Sequence, residues 1–499
     1  GSANTAVGSF ALDTNTTGLQ NTAMGYAVMD ANTTGNYNTA IGAYSLDANT
    51  TGHHNTGFGK SSLSANTTGE YNTSVGSNSL AASTTASYNI AMGYAAGNAV
   101  TTGAHNAALG YGAFALATTA EQTVSVGSYT LDACTTGGSY STAIGYAALT
   151  SITTATHNTG VGHSALANTT TGASNVAVGN GALDNNTTAS SNVAVGRDAL
   201  GSNTTGAENT AVGFEALKEN TTAQQNTAVG RLALLENTTG DLNTAMGSAT
   251  MDANTTGEYS TAVGAGALTA QTTGNHNTSI GYAAHTSITD SEYNTAVGSG
   301  AGYYVSTGDY NVSIGRAADQ VTTNGTHNIC IGGLSKPAAA GSSHNIVLGY
   351  DVTGSGASTF TFGNAGSDTT CSFGSTTWSN PSDARIKEDI KDEEIGLSFI
   401  NDLRPRTFRY RKEKDIPEEL ITHVADSEER LISDKYQHGF VAQEVKEAID
   451  KHSGLKDGFG MWTEDEADGR QRVGDTAVIP MLVKSIQELS AEITKLKGE

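Results

Sequence analysis

Proline, cysteine and charged residues are scarce along most of this chain of 499 residues. The five prolines begin only at Pro337. Residues 1–381 carry 27 charged side chains (6 basic and 21 acidic), whereas residues 382–499 carry 46 (19 basic and 27 acidic). The resulting net charges are −15 and −8, so neither part suits a nucleic acid or an anionic membrane as a partner.

A short motif, Asn-Thr-Ala-apolar-Gly, occurs 21 times in the first 349 residues. It begins at Asn4 and recurs every 17 residues as far as Asn345, except where Gly138 lengthens one step to 18. Self-similarity at so short a period is typical of a solenoid in which each repeat forms one coil. We therefore predict a mostly β protein with a parallel β-solenoid shaft over residues 1–349. At a spacing of about 4.8 Å per coil, the shaft would be about 100 Å long.

The second repeat shows how one coil could form. The position of Met24 holds an apolar residue, and that of Gly25 a glycine, in all 21 copies. Such a glycine indicates a positive φ or a close backbone approach. The position of Met29 holds Leu, Met or Phe in 15 copies. We expect both apolar positions to point inward, and the Thr-Thr-Gly segment to form the return turn with its glycine in a left-handed conformation.

Two inward apolar side chains per coil make a thin core, and association would supply the missing burial. The alanine of the motif suggests that backbones meet closely, so we predict a parallel homotrimer whose axis is lined by the small and apolar residues of the motif. The Asn-Thr-Ala-Val-Gly pattern resembles the Ser-Val-Ala-Ile-Gly repeat of trimeric autotransporter adhesin heads, which are left-handed parallel β-rolls interlocked as trimers. The repeat of that family is shorter.

Asparagine opens 18 of the 21 motifs, and stacked coils would place these side chains in a hydrogen-bonded amide ladder along the rod. The many Asn-Thr-Thr segments match the N-glycosylation sequon, but we favour a structural role for them. The residue before the opening Asn is often aromatic. It is Tyr37, Tyr71, Tyr88, Tyr140, Tyr259, Tyr293 or Tyr310, or His54, His105, His157, His276, His327 or His344. We interpret these residues as a stacked ladder that covers the coil edges. A sugar-binding surface and a metal site that includes His327 and His344 are the alternatives.

Cys134, Cys330 and Cys371 are an odd and sparse set, which excludes a disulfide framework. Cys330 replaces the motif alanine, so we expect a small buried residue; a disulfide between subunits is the alternative. No transmembrane run and no signal peptide are recognisable, so we expect no membrane insertion. Gly1-Ser2 resembles a cloning remnant, and we expect the natural chain to carry an anchoring segment before it.

The period ends near Tyr350, and the remaining chain is aperiodic. We predict a β neck over 350–381 and an α+β domain over 382–499 that ends in a short coiled coil. The predicted elements are strands at Ser358–Gly363 and Thr369–Trp378, a helix from about Glu393 to Leu403, a strand at Thr407–Arg411, a helix after His438–Val445, and a coiled-coil seam of Leu482, Ile486, Leu489, Ile493 and Leu496.

Four segments of the last domain carry a resemblance to a known family. They are Ser382–Lys387 (SDARIK), Leu403–Tyr410 (LRPRTFRY), Gly439–Val445 (GFVAQEV) and Pro480–Leu489 (PMLVKSIQEL). Their order resembles the C-terminal intramolecular chaperone of phage endosialidases, tail fibres and neck appendages, a self-cleaving peptidase family.

The resemblance implies that Ser382 is a nucleophile and Lys387 its base. A serine attacks after a base takes its proton, and a lysine can do so when burial lowers its pKa. Attack on the carbonyl carbon of Pro381 would cut the 381–382 bond and release residues 382–499. A tip that trimerises without cutting is the alternative. We assign structural roles to the remaining polar residues of these motifs, Asp383, Arg385, Gln443 and Glu444.

The leading hypothesis for function is a homotrimeric, receptor-binding fibre of phage tail-fibre type, located in the virion or on a bacterial surface. Its partners would be its own copies and a host-cell surface glycan or receptor, with no cofactor and no metal. A polysaccharide depolymerase would need a cleft with paired carboxylates, for which the repeats are too regular and too poor in acidic residues. A non-cleaving bacterial adhesin and an ice-binding solenoid are further alternatives, although adjacent threonines do not form one flat row.

Overall fold

The computed structural model of the protein describes residues 1–375, 378–455, 459–465 and 467–498. The chain divides into two compact units, Gly1–Pro381 and Ser382–Glu499. Among the described residues, no helix is long and apolar enough to cross a bilayer.

The first unit is a stack of coils, each of which contributes one short strand to a single 23-stranded sheet. The first 20 strands have three residues each: Thr5–Val7 (β1), Thr22–Met24 (β2), Thr39–Ile41 (β3), Thr56–Phe58 (β4), Thr73–Val75 (β5), Ile90–Met92 (β6), Ala107–Leu109 (β7), Val124–Val126 (β8), Thr142–Ile144 (β9), Thr159–Val161 (β10), Val176–Val178 (β11), Val193–Val195 (β12), Thr210–Val212 (β13), Thr227–Val229 (β14), Thr244–Met246 (β15), Thr261–Val263 (β16), Thr278–Ile280 (β17), Thr295–Val297 (β18), Val312–Ile314 (β19) and Ile329–Ile331 (β20). The last three are Ile346–Tyr350 (β21), Thr359–Asn364 (β22) and Ser367–Ser372 (β23).

Consecutive coils pair in parallel with equivalent residues opposite one another. Ala211 lies opposite Ala228, 17 residues on, and across the insertion of Gly138 Val124 lies opposite Thr142. The mostly β solenoid with a 17-residue repeat is therefore confirmed. At its end, β21 pairs in parallel with β22, and β22 pairs with β23 in the antiparallel direction.

The predicted neck thus lies within the same sheet and the same unit as the coils. Of its predicted second strand, Thr376 and Thr377 lie outside the described residues, and the observed strand β23 ends earlier, at Ser372.

The interior of the coil is built from alanine and leucine. In a representative coil Ala211, Ala216 and Leu217 are fully buried, whereas Val212 is 36% exposed. The prediction that the Met29 position points inward is confirmed. The prediction that the Met24 position does so is wrong, because successive side chains of a strand point to opposite faces and the motif alanine takes the inner one. The Met24 position therefore forms an outward column with one apolar side chain per coil, which we call the apolar stripe (Val7 to Leu348).

The glycine of the motif meets both conditions predicted for it. Gly213 has a φ of 144°, and a Cβ built on it would lie 2.3 Å from the carbonyl oxygen of Gly230 in the next coil. The glycine of Thr-Thr-Gly differs from expectation. Gly206 is not left-handed; a Cβ there would lie 2.1 Å from the carbonyl oxygen of Ala223. The left-handed turn residue comes two positions later, as at Glu208, with a φ of 60°.

Two columns of buried asparagine bond the coils along the rod. The opening Asn209 donates its backbone N–H to Asn192 Oδ1 at 2.9 Å and its Nδ2 to the carbonyl of Ala223 at 2.8 Å. The asparagines of the Asn-Thr-Thr segments form a second, side-chain-to-side-chain ladder: Asn220 Nδ2 donates to Asn203 Oδ1 at 2.8 Å. Asn220 is fully buried, which favours the structural interpretation of the sequon.

The cysteines and a few polar residues interrupt these regular columns. All three cysteines are buried and free, and Cys330 occupies the inner alanine column as expected. His285 replaces the inner leucine, and its ring fills the space above Gly302, where an added Cβ would lie 2.3 Å from Cδ2. Burial lowers the pKa of His285 to about 3. Burial also raises the pKa of Asp319, which stands in the same column two coils further on.

In its described residues, the second unit combines three α-helices with two small antiparallel strand pairs. Its elements are the helices Leu397–Asp402 (α1), Ala442–Lys451 (α2) and Ile479–Lys497 (α3), and the antiparallel pairs Arg406–Phe408 (β24) with Gln437–Gly439 (β25) and Trp462–Glu464 (β26) with Gln471–Val473 (β27). Its core contains Phe399, Val445, Ala448, Ile449, Leu455, Met461, Val478 and Met481. The α+β organisation and the terminal helix agree with the prediction, although the first helix begins later than Glu393, after Gly396.

Candidate cleavage site and binding surfaces

A short 3-10 turn, Ala384–Ile386, places the predicted nucleophile beside the predicted base. Asp383 caps the turn by accepting the backbone N–H of Arg385 at 2.9 Å, and the turn closes where the N–H of Lys387 donates to the carbonyl of Ala384. The chain therefore folds back over five residues, and Lys387 Nζ donates to Ser382 Oγ at 2.7 Å.

An ion pair between Arg385 and Asp383 stabilises the 3-10 turn. Arg385 donates from its backbone N–H and from its guanidinium Nε to the carboxylate of Asp383, which holds the pKa of that carboxyl below its usual range. These contacts hold the two side chains together across the turn.

The burial expected for the base is not observed. Among the described residues, every position from 378 to 394 is exposed, and these include Ser382 and Lys387. A lysine becomes a base when its charged form is destabilised by desolvation. The contact between the two side chains is therefore present in a single chain, whereas the burial predicted for Lys387 is absent. The bond between Pro381 and Ser382 is the covalent junction between the two compact units.

The rest of the second unit is fixed by contacts between residues distant in sequence. Glu488 of α3 accepts the N–H of Leu397 at 2.8 Å, which attaches α1 to α3. Glu444 accepts the Nε of Arg406 at 2.9 Å, which joins α2 to β24 and is consistent with a structural role. These contacts occur once each in the chain, unlike those of the shaft.

The predicted coiled-coil residues form an exposed row along α3. Met481 and Ser485, which lie beside this row on the helix, are buried. The exposed fractions of the seam are 41% for Leu482, 65% for Ile486, 42% for Leu489, 51% for Ile493 and 87% for Leu496. Every residue of the seam is thus at least 41% exposed in the single chain.

The predicted tyrosine and histidine ladder consists of face-to-face stacks. His54 stacks on Tyr71 with ring centroids 4.9 Å apart and ring planes 7° apart, and Tyr71 stacks on Tyr88 at 5.1 Å and 6°. His327 and His344, the residues of the alternative metal hypothesis, stack in the same way at 5.0 Å and 5°. The tyrosine and histidine rings therefore stack along the coils, as the sequence predicts.

A second group of aromatic residues was missed by the sequence analysis. It follows the motif glycine by one or two positions, and we call it the tilted column: Tyr94, Tyr111, Tyr129, Tyr146 and His163. The signal was present in the sequence: four of the five residues directly follow the motif glycine, and only Tyr129 lies one position later.

Comparison with known proteins agrees with the second unit. No curated protein and no solved structure matches the chain. Residues 382–454 match the family model described as chaperone of endosialidase. That match and the solenoid of about 21 coils agree with the resemblance to tail-fibre proteins that the sequence indicates.

Proposed function

We propose that the protein is the shaft of a homotrimeric, receptor-binding fibre of phage tail-fibre type, in the virion or on a bacterial surface. In this proposal the C-terminal unit aligns three chains and then separates itself by cutting between Pro381 and Ser382. The observation that carries the proposal is the apolar stripe.

The apolar stripe has the properties of an interface between copies. Each coil contributes one outward Val, Ile, Met, Leu or Phe, and the exposed fraction reaches 53% at Val7 and 45% at Met24. A contiguous exposed apolar surface of this kind on a soluble chain marks a contact site. Since the stripe repeats in every coil, copies of the same rod, parallel and in register, would bury it along its whole length.

The seam of α3 supports association at the other end of the chain. Its leucines and isoleucines follow a 4-3-4-3 spacing and are exposed, as the knobs of an unpaired coiled coil would be. A small bundle of parallel α3 helices would hold the three chains together before their shafts fold and associate. The receptor would be a host-cell surface glycan or protein bound along the shaft.

The cleavage step follows from the contact between Lys387 and Ser382. Ser382 Oγ gives its proton to Lys387 Nζ and adds to the carbonyl carbon of Pro381. The C–N bond between the two residues breaks, the nitrogen of Ser382 takes up that proton, and the acyl group of Pro381 remains as an ester on Oγ. Water then hydrolyses the ester, leaving a carboxylate on Pro381 and a free hydroxyl on Ser382. Because the groups are held within one chain, a weak dyad suffices for a single turnover.

Assembly would supply the desolvation that the single chain lacks. We expect cleavage to follow trimerisation, because packing of three copies around the turn would bury Lys387. The rate of cleavage should therefore increase with protein concentration until all chains are trimeric.

Electrophoresis and intact mass of the full chain test cleavage, and light scattering tests the trimer. The wild type should yield two fragments that meet at the 381–382 bond. Ser382→Ala should remain one full-length trimeric chain, and Lys387→Ala should be cut slowly or not at all. Lys391→Ala changes another exposed lysine and should be cut normally. A monomeric protein in light scattering would refute the trimer. A wild type that stays uncut, or a Ser382→Ala chain that is still cut, would refute cleavage by Ser382.

A further inference from the structure

Asp383 and Arg385 form a two-pronged ion pair within the turn that joins Ser382 to Lys387. Arg385 Nε donates to Asp383 Oδ1 at 3.0 Å, and Arg385 Nη2 donates to Oδ2 at 2.5 Å. Oδ1 also accepts the backbone N–H of Arg385 at 2.9 Å. One residue therefore engages both oxygens of the carboxylate.

An unpaired carboxylate at this place would work against the dyad. Asp383 adjoins Ser382 and lies in the same turn as Lys387. A carboxylate close to a lysine favours the protonated form of that lysine and competes for its ammonium group. A lysine that keeps its proton cannot accept the proton of a serine. In the structure, however, Lys387 Nζ contacts Ser382 Oγ at 2.7 Å rather than the carboxylate.

Among the described residues, Arg385 is the one cation that engages Asp383. The charged residues that follow Lys387 are all exposed: Glu388, Asp389, Lys391, Asp392, Glu393 and Glu394. In the part of the chain that the structure describes, none of them forms an ion pair with Lys387. The hydrogen bonds between Arg385 and Asp383 lower the pKa of the carboxyl and raise the pKa of the guanidinium, so both groups stay charged from weakly acid to alkaline pH.

We propose that Arg385 is a positioning residue of the cleavage between Pro381 and Ser382. It occupies the carboxylate of Asp383 and so leaves Lys387 free to contact Ser382 and to accept its proton. The turn can thereby use an acidic residue as its cap without that acid holding the proton of the base. This inference rests on the proposed cleavage function and adds a residue to it. Assembly that buries the turn would strengthen the effect, because buried charges are screened less by water and salt.

Two substitutions change the charge balance of the turn in opposite directions. Arg385→Gln removes the cation and leaves the carboxylate of Asp383 free to pair with Lys387. Asp383→Asn removes the anion but keeps a side-chain oxygen that can accept the backbone N–H of Arg385. Arg472→Gln is the matched control, because Arg472 forms the same kind of fork elsewhere in the unit, with Nε and Nη2 each 2.7 Å from an oxygen of Asp465.

The experiment measures the cleavage rate of the full chain as a function of pH. Each full-length chain is collected unfolded in denaturant and diluted into buffers from weakly acid to alkaline pH. Electrophoresis follows the fraction of cut chain over time. Light scattering gives the fraction of trimer, by which each rate is divided, so that differences in assembly do not count as differences in cleavage.

We expect the wild-type rate to rise with pH as Lys387 loses its proton. The pH of half-maximal rate should move up by about half a unit or more in Arg385→Gln, and down by a similar amount in Asp383→Asn. Arg472→Gln should keep the wild-type midpoint. A residue that only shaped the turn would lower the rate at every pH and leave the midpoint unchanged.

A midpoint of Arg385→Gln that equals the wild-type value or moves down overturns the inference, whereas the cleavage function stands as long as the wild type is cut at the 381–382 bond. An equal upward shift in Arg472→Gln overturns the inference as well. If Arg385→Gln does not assemble, the direction of the shift in Asp383→Asn decides. A trimeric wild type that stays uncut at every pH overturns the cleavage function and the inference together.

Discussion

The two units of the chain are stabilised by different kinds of contact, repeated in the first unit and unique in the second. In residues 1–381 nearly every contact is repeated 17 residues later, whereas in residues 382–499 contacts such as Leu397 with Glu488 join positions 91 residues apart and occur once. Repeated contacts extend the shaft by one coil at a time, but they are the same in every coil and do not distinguish one coil from the next. Contacts that occur once specify a single alignment of the chain. In the proposed trimer, the register among three identical rods would therefore come from the C-terminal unit.

The largest effect should come from removing that unit. A chain that ends at Pro381 should fail to form the native trimer, because 21 similar coils allow chains to align one or more repeats out of step. Sedimentation velocity and circular dichroism would then show aggregates or mixed assemblies. A truncated chain that folds alone into the same trimer would show that the repeats encode their own register. Once cleaved, a melted shaft should likewise not refold, so its stability would be kinetic.

Two adjacent residues distinguish the core of a coil from the surface between chains. Ala211→Asp places a charge in the fully buried alanine column and should lower the free energy of unfolding by about 3 kcal/mol or more. Val212→Asp places it on the apolar stripe, so the coil should form while the trimer dissociates. Thermal unfolding and light scattering separate the two outcomes. A trimeric Val212→Asp chain would exclude the stripe as the interface.

A single break in the buried amide ladder should cost less than a charge in the core. Asn220→Ala removes the donor to Asn203 and the acceptor of Asn237, and leaving these buried groups unpaired should cost about 1–3 kcal/mol. The shaft itself contains the control, since Val100, Ala117, Cys134 and Ile152 replace the ladder as one buried apolar block. Chemical denaturation should accordingly show a smaller loss of unfolding free energy per residue when several consecutive asparagines of the ladder are replaced together by apolar residues.

In the other unit, Arg406→Ala breaks an exposed ion pair with Glu444. It should lower the free energy of unfolding less than Asn220→Ala does.

The smallest effect at neutral pH concerns His285. Its folded pKa of about 3 lies below the ordinary value of 6.5, so the unfolded chain binds a proton that the folded chain does not. Folding stability should therefore fall by about 1.4 kcal/mol per pH unit as the pH drops from 6.5 towards 3. His285→Leu, which restores the residue usual in this column, should remove that part of the acid sensitivity. Unfolding midpoints at pH 7.5 and 4.5 test this; an equal acid shift in both chains would contradict it.

The sequence predicted the repeat, its coil and the order of the C-terminal elements because each has a short-range signal. Gly213 and Leu217 could be assigned because their positions are nearly constant. The direction of Val212 could not, since a three-residue strand is too short to show which of two neighbouring apolar positions is inside. The family resemblance implied that Ser382 and Lys387 act as a pair, but the burial of a base depends on the residues that pack around it. Tyr129 escaped notice because its ring joins a column from a different position of the repeat.

The hairpin of β22 and β23 sets a limit on the shaft. A stack of identical parallel strands presents a new unpaired edge after every coil, which is the property that lets amyloid fibrils grow without end. The reversal of strand direction at β23 ends the parallel series after 22 strands and presents an edge with a different hydrogen-bond pattern. A second shaft therefore finds no parallel coil to extend at this end. The antiparallel strand therefore opposes growth of the parallel stack beyond this hairpin.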